Sequence, residues 1–106
     1  MQFIYNYFIK KFESIPESKW FVDEYSNEND TKFCAYGHCG MREGFRINDL
    51  VEPFALKNIF NDYIGTSYDN TIPIINDGDF GWKLVSKSPK ERILLALYTI
   101  KEFERL

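Results

Sequence analysis

Cys34-Ala35-Tyr36-Gly37-His38-Cys39-Gly40 gathers both cysteines and the single histidine of the chain into seven residues. Two chemistries need such groups. A thiol at a helix start feels the positive end of the helix dipole, which favours the thiolate. His38, four positions on, then stands one turn away on the same face. Asn76 or Asp77 could orient the imidazole, which gives a Cys–His–Asp list of the kind a cysteine hydrolase or transferase uses. The candidate catalytic residues are therefore Cys34, His38 and Asp77. Yet one turn holds both nucleophile and base, and no oxyanion hole can be named. For a metal, Cys34 and His38 have a legitimate two-ligand spacing. Cys39 projects about 140° away from Cys34 on an ideal helix, and no second Cys/His pair completes a tetrahedral site. No metal or cofactor is expected. The simpler reading is interior packing: Ala35 and Cys39 share a face, free cysteine is often buried, and Asn76-Asp77-Gly78 reads as a turn.

Two further clusters are candidates for binding. Ser88-Pro89-Lys90-Glu91-Arg92 opens the last helix, where free N–H groups and the dipole suit an anion. Trp82, Lys87, Ser88, Lys90 and Arg92 form the candidate site for a phosphorylated small molecule or nucleotide signal, although Glu91 would oppose an anion there. Neither a P-loop nor a Rossmann glycine fingerprint is present. The segment 23–30 carries Asp23, Glu24, Glu28 and Asp30 and no basic residue. As a calcium loop it lacks the central glycine and has Cys34 where the bidentate Glu belongs. It reads as a solvated loop, and Glu24, Tyr25 and Glu28 are its candidate partner-binding residues.

These residues must be positioned by a single domain spanning 1–106. Apolar residues make up 44% and charged residues 27%, the balance of a folded globule. Nineteen aromatic residues are more than so small a core can bury, so some should line a groove or interface. The net charge of −3 is too small to argue for nucleic acid or a membrane, and neither is expected as a partner. It divides unevenly: residues 1–79 carry seven basic and thirteen acidic side chains, residues 80–106 six and three. Two cysteines five apart on one helix lie about 8 Å apart, beyond disulfide reach. They read as reduced thiols of a cytoplasmic protein. No signal peptide or membrane-spanning run is read.

The periodicity predicts a helix over 2–15, with Phe3, Ile4, Tyr7, Phe8, Phe12 and Ile15 as its apolar stripe and Pro16 as its stop. A loop or irregular strand follows over 16–32. A short helix is expected over 33–43, closed by Gly44. The next helix is capped by Asn48 or Asp49 and ends at Gly65, burying Leu56, Ile59, Phe60, Tyr63 and Ile64. Thr71-Ile72-Pro73-Ile74-Ile75 reads as extended, with 80–85 pairing back as a short hairpin. The last helix starts at Ser88, with Pro89 at its first position and Glu91 closing a capping box. Ile93, Leu94, Ala96, Leu97, Ile100 and Phe103 supply its apolar face. The expected class is mainly α, about four helices with a short irregular strand or hairpin, in a small single α or α+β domain.

Taken in order, Trp20, the Cys34–Gly40 segment, Ile75-Asn76-Asp77-Gly78 and Ser88-Pro89-Lys90-Glu91-Arg92-Ile93-Leu94 with Ala96-Leu97 resemble the signature of a family of small uncharacterised phage and bacterial proteins. That signature has a Trp, a variable loop, a Cys-Ala-Leu-Gly-like segment, an Ile-Asn-Asp-Gly-like segment and a last helix led by Pro-Lys-x-Arg. Tyr36 stands where Leu is usual. The resemblance spans about residues 16–101. It implies a mostly helical fold and a phage- or mobile-element-borne accessory gene; it carries no catalytic residue over. The leading expectation is a non-enzymatic protein, monomer or homodimer, that binds a host protein in the cytoplasm. The alternatives are the anionic-ligand binder and the Cys/His hydrolase or transferase.

Overall fold

A computed structural model describes residues 2–64 and 71–104. Five α-helices are present among them: α1 (Gln2–Glu13), α2 (Ala35–His38), α3 (Val51–Ile64), α4 (Thr71–Asp77) and α5 (Pro89–Glu104). Short 3-10 turns lie at Glu17–Lys19, Ile47–Asp49 and Trp82–Leu84. The mainly α expectation holds. The expected strand or hairpin is not seen among the described residues; the only β-type pairings there are isolated bridges from Phe33 to Trp20 and to Ser26.

α1 buries Tyr5, Phe8, Ile9 and Phe12, an i, i+3, i+4, i+7 set. The stripe is therefore rotated from the expected one, and Phe3 is left 85% exposed. α1 packs along α5, which buries Ile93, Ala96, Leu97 and Ile100 as expected but leaves Phe103 exposed. α5 starts at the predicted residue, with the Glu91 N–H donating to Ser88 Oγ at 3.2 Å. The other half of its capping box runs through a third residue. Ser86 Oγ donates to Glu91 at 2.6 Å and accepts from the Ser88 N–H at 3.0 Å.

α4 replaces the extended segment. Thr71, Ile72, Ile75 and Asn76 are its buried residues, an i, i+1, i+4, i+5 pattern that only a helix places on one face. Pro73 falls in the first turn, where its missing N–H costs nothing. α4 packs on α5, α3 and α2. Residues 80–85, expected to pair as a hairpin, form a turn: Gly78, Phe80 and Gly81 all have positive φ, which coils the chain back rather than extending it.

The expected helix over 33–43 is one turn long. Gly40 takes φ 103°, a backbone that favours glycine and ends the helix early. Arg42 then donates to the carbonyls of Gly37 and Met41 at 3.0 and 2.6 Å. α3 begins at Val51, after the 3-10 turn that holds Asn48 and Asp49, and buries Leu56, Ile59 and Phe60. The Gly65 stop and the Tyr63 and Ile64 side chains lie outside the described residues.

Candidate binding cleft

The segment from Phe21 to Phe33 is built as a hydrogen-bonded loop laid over α2. Its base is closed by Phe21 N–H to the Phe33 carbonyl and Phe33 N–H to the Lys19 carbonyl, both at 2.9 Å. Its tip is closed by Asn27 Oδ1, which accepts from the N–H groups of Thr31 and Lys32 at 2.8 and 3.1 Å, an arrangement typical of Asn in turns. The Tyr25 carbonyl accepts from Cys34 N–H at 3.2 Å. It also sits 2.0 Å from where a Cβ on Gly37 would stand. Only glycine permits this approach, so Gly37 sets the position of Tyr25.

Beside this crossing lie two open troughs. One, about 350 Å³, is lined by Asp23, Glu24, Tyr25, Cys34, Glu43, Pro73 and Asp77. The other, about 670 Å³, is lined by Tyr25, Tyr36, Phe45, Arg46, Ile47, Asn48, Asp49 and Pro73. They share Tyr25 and Pro73 and so adjoin. Tyr25, Phe45, Ile47 and Pro73 give the cleft apolar walls, and Phe45 is 57% exposed. Of the three candidate partner-binding residues, Glu24 and Tyr25 line it; Glu28 is exposed and lines neither trough.

Cys34 and Asp77 meet in the smaller trough, but His38 does not join them. Its ring packs edge-on against Trp20 and Phe33, with centroids 4.8 and 5.4 Å apart. The Arg42 guanidinium lies over the Phe33 ring, 4.4 Å from its centroid. Burial is the main cause that depresses the His38 pKa, to about 4, and Lys11 and Arg42 add to it; a backbone hydrogen bond with Lys19 works against it. His38 is thus a neutral aromatic at neutral pH. Its Nε2 is buried and makes no hydrogen bond within the described residues. Cys34 caps α2 through Sγ, which accepts from Gly37 N–H at 3.4 Å. Burial pushes its thiol pKa up against the hydrogen bonds of Gly37 and Tyr36. A capping thiol whose pKa is raised by burial and a neutral imidazole packed against Trp20 and Phe33 do not make an activated pair.

Asn76 connects the cleft to the interior. Fully buried, it accepts from Ala35 N–H at 3.1 Å through Oδ1. Through Nδ2 it donates to the Phe21 carbonyl and to Asp77 Oδ1, each at 2.9 Å. The loop, α2 and α4 are all tied to this one amide.

The candidate anion site is occupied by the protein itself. Arg92 is 2% exposed and donates to the carbonyls of Ile75, Asn76 and Ser86. Ser88 Oγ donates to Glu17 at 3.1 Å and Lys90 Nζ to the Glu13 carbonyl at 3.1 Å. Trp82 lines a separate apolar slot of about 170 Å³ with Phe60, Ile75, Val85 and Leu95. Lys87 is exposed.

One polar cluster escaped the sequence reading. Tyr7 Oη donates to Glu52 Oε2 at 2.6 Å, and Lys11 Nζ pairs with Glu52 Oε1 at 3.0 Å. Burial is the main cause that raises the Cys39 thiol pKa, to about 12; Lys11 works against it and the Glu52 carboxylate adds to it. Tyr7 and Lys11 are one turn apart on α1, a spacing visible in sequence; Glu52, on α3, has no such local signal.

Among the described residues, no three His, Cys, Asp or Glu side chains stand close enough to hold a metal ion, and no helix is long and apolar enough to cross a membrane. No family model, curated protein or solved structure matches the chain.

Proposed function

We propose that this chain is a small non-enzymatic accessory protein that acts by binding a protein partner in the cleft around Tyr25 and Pro73. The observation that carries the reading is the pair of adjoining troughs with apolar walls, held in place by the Gly37–Tyr25 crossing. Small-molecule sites enclose most of their ligand. These troughs are open along one side, which suits a segment of polypeptide laid into a groove. The capping role of Cys34 and the packing of the His38 ring against Trp20 and Phe33 lend no support to thiol catalysis. The internal use of Arg92 lends none to an anion site on α5. A host protein as partner and a phage or mobile-element origin rest on the motif resemblance, and a cytoplasmic setting on the two unpaired cysteines.

The test is retention of a partner from a bacterial host lysate by wild-type protein, Tyr25→Ala and Phe45→Ala. A partner held by wild type and lost from both variants, with melting temperatures kept, supports the reading. A partner held equally by all three, or none at several bait concentrations, removes it.

A further inference from the structure

α5 carries a second stripe opposite its core-facing one. Leu95, Tyr98 and Thr99, an i, i+3, i+4 set, are exposed there. Thr99 Oγ1 donates to the Leu95 carbonyl at 2.8 Å, so its hydroxyl is already used. Beside this stripe runs the 82–85 turn, where Leu84 is 92% exposed and Val85 47%. Between helix and turn lies the apolar slot of about 170 Å³, and none of the residues lining it is charged. A cavity of about 150 Å³ takes one benzene ring, whereas pockets for small-molecule ligands run from about 300 Å³ upwards. The slot therefore fits a single apolar side chain. Leu84 is such a side chain, projecting from the turn whose Trp82 and Val85 wall the slot. A two-fold axis satisfies a knob beside a hole by setting each knob in the other copy's hole.

The charges at the two ends of the face favour the same pairing. Lys87 is exposed just before α5 and Glu102 is exposed near its end, eight and seven residues from Leu95. An antiparallel pair centred on Leu95 brings each Lys87 towards the other copy's Glu102; a parallel pair sets like charge against like. The face has the length of the 16-residue α5, about 24 Å, and the width of two elements, about 20 Å. That is roughly 500 Å² per copy against about 800 Å² for a standard interface, so the pairing depends on concentration. We infer that the chain forms a weak antiparallel homodimer through the outer face of α5, with Leu84 of each copy seated in the other's slot. The slot shares no residue with either trough of the cleft, so the dimer leaves the binding function proposed above untouched.

Sedimentation velocity of the full chain, from about 1 μM to about 1 mM, tests this. Wild type should pass from monomer to dimer across that range. Leu84→Asp, altered at a side chain already in water, should melt normally and stay monomeric throughout. Lys87→Glu and Glu102→Lys should each weaken pairing about fivefold at low salt, and the two together should restore it. A monomer at every concentration, or a dimer that Leu84→Asp leaves intact, would overturn the proposal. A dimer lost in Leu84→Asp but not rescued by the double charge exchange would overturn the antiparallel arrangement and keep the face.

Discussion

Arg92 donates to the backbone carbonyl of Asn76 at 2.6 Å, while the Asn76 side chain holds the backbones of Phe21 and Ala35. Arg92 Nε also takes the Ile75 carbonyl at 2.9 Å. A buried guanidinium thus closes the C-terminal end of α4, where free carbonyls and the negative end of the dipole favour a cation. Desolvation lowers the Arg92 pKa, against the favourable fields of Asp77 and Asp79. The two residues form one chain of hydrogen bonds from α5 to the cleft.

Replacing Arg92 by Met takes the side-chain donor from the Asn76 and Ser86 carbonyls and leaves the Ile75 carbonyl only the Gly78 N–H at 3.2 Å. We expect a loss of about 3–5 kcal/mol, read by urea denaturation, because breaking a buried charged network costs far more than its net worth. Arg92→Lys should fall between the two, since an ammonium lacks the planar fork. A Met variant within 1 kcal/mol of wild type, on the order of a surface change, would contradict this role.

Asn76→Ala removes the partner of the Ala35 N–H and of the Phe21 carbonyl. The expected cost is about 2–4 kcal/mol for the buried groups left bare. Amide exchange should accelerate first at Ala35 and through the 21–33 loop. Unchanged exchange at Ala35 would show that the amide is not the tie described.

Gly37→Ala places a Cβ 2.0 Å from the Tyr25 carbonyl. Backbone must move, so stability should fall by about 1–3 kcal/mol or more. Partner retention should fall with it, because Tyr25 walls both troughs. A variant that melts normally and keeps its amide shifts at residues 23–26 would refute the crossing.

His38 gives a signed pH dependence. Its folded pKa of about 4 lies below the ordinary imidazole value of 6.5, so between these values the unfolded chain binds more protons. Stability is then complete above about pH 6.5 and declines as pH falls towards 4, with a slope of at most about 1.4 kcal/mol per unit. The melting temperature of His38→Gln should be flatter across that window. Parallel profiles for the two proteins would count against the neutral, boxed imidazole.

Both thiols should resist alkylation at pH 8. Burial raises both pKa values, that of Cys39 to about 12, and the thiolate is the reactive form. Iodoacetamide should label the native protein far more slowly than the urea-unfolded chain, as read by intact mass. Rapid native labelling of Cys34 would reopen nucleophilic chemistry at the cleft.

Local signals were legible where a helix announced its own ends. Ser88 and Pro89 mark the start of α5, and the spacing of Ile93, Ala96, Leu97 and Ile100 marks its buried face. Residues 71–77 were not legible in the same way. A short run of Thr, Ile and Pro fits a strand or a buried helix equally well, and contacts with α2, α3 and α5 decide between them. The Cys–His turn announced chemistry that its surroundings do not support: Trp20 and Phe33 pack against the imidazole, and burial raises the thiol pKa. Arg92 looked like an anion ligand because nothing in its neighbours tells that α4 ends beneath it. Of the cleft, Asp23, Glu24 and Tyr25 were foreseen as parts of a solvated loop. Their meeting with Pro73 and Asp77 joins segments about fifty residues apart, which no local pattern encodes.

The crossing at Gly37 divides the cleft into two classes of position. Its framework is backbone seated on backbone, with an amide and a guanidinium behind it, and cannot shift without disturbing the interior. Its rim is side chains on a loop and a turn, Asp23, Glu24, Glu43 and Phe45, all exposed. Residue choice at the mouth can therefore diverge freely while the trough keeps its shape, so related chains could change what they recognise without refolding how they recognise it.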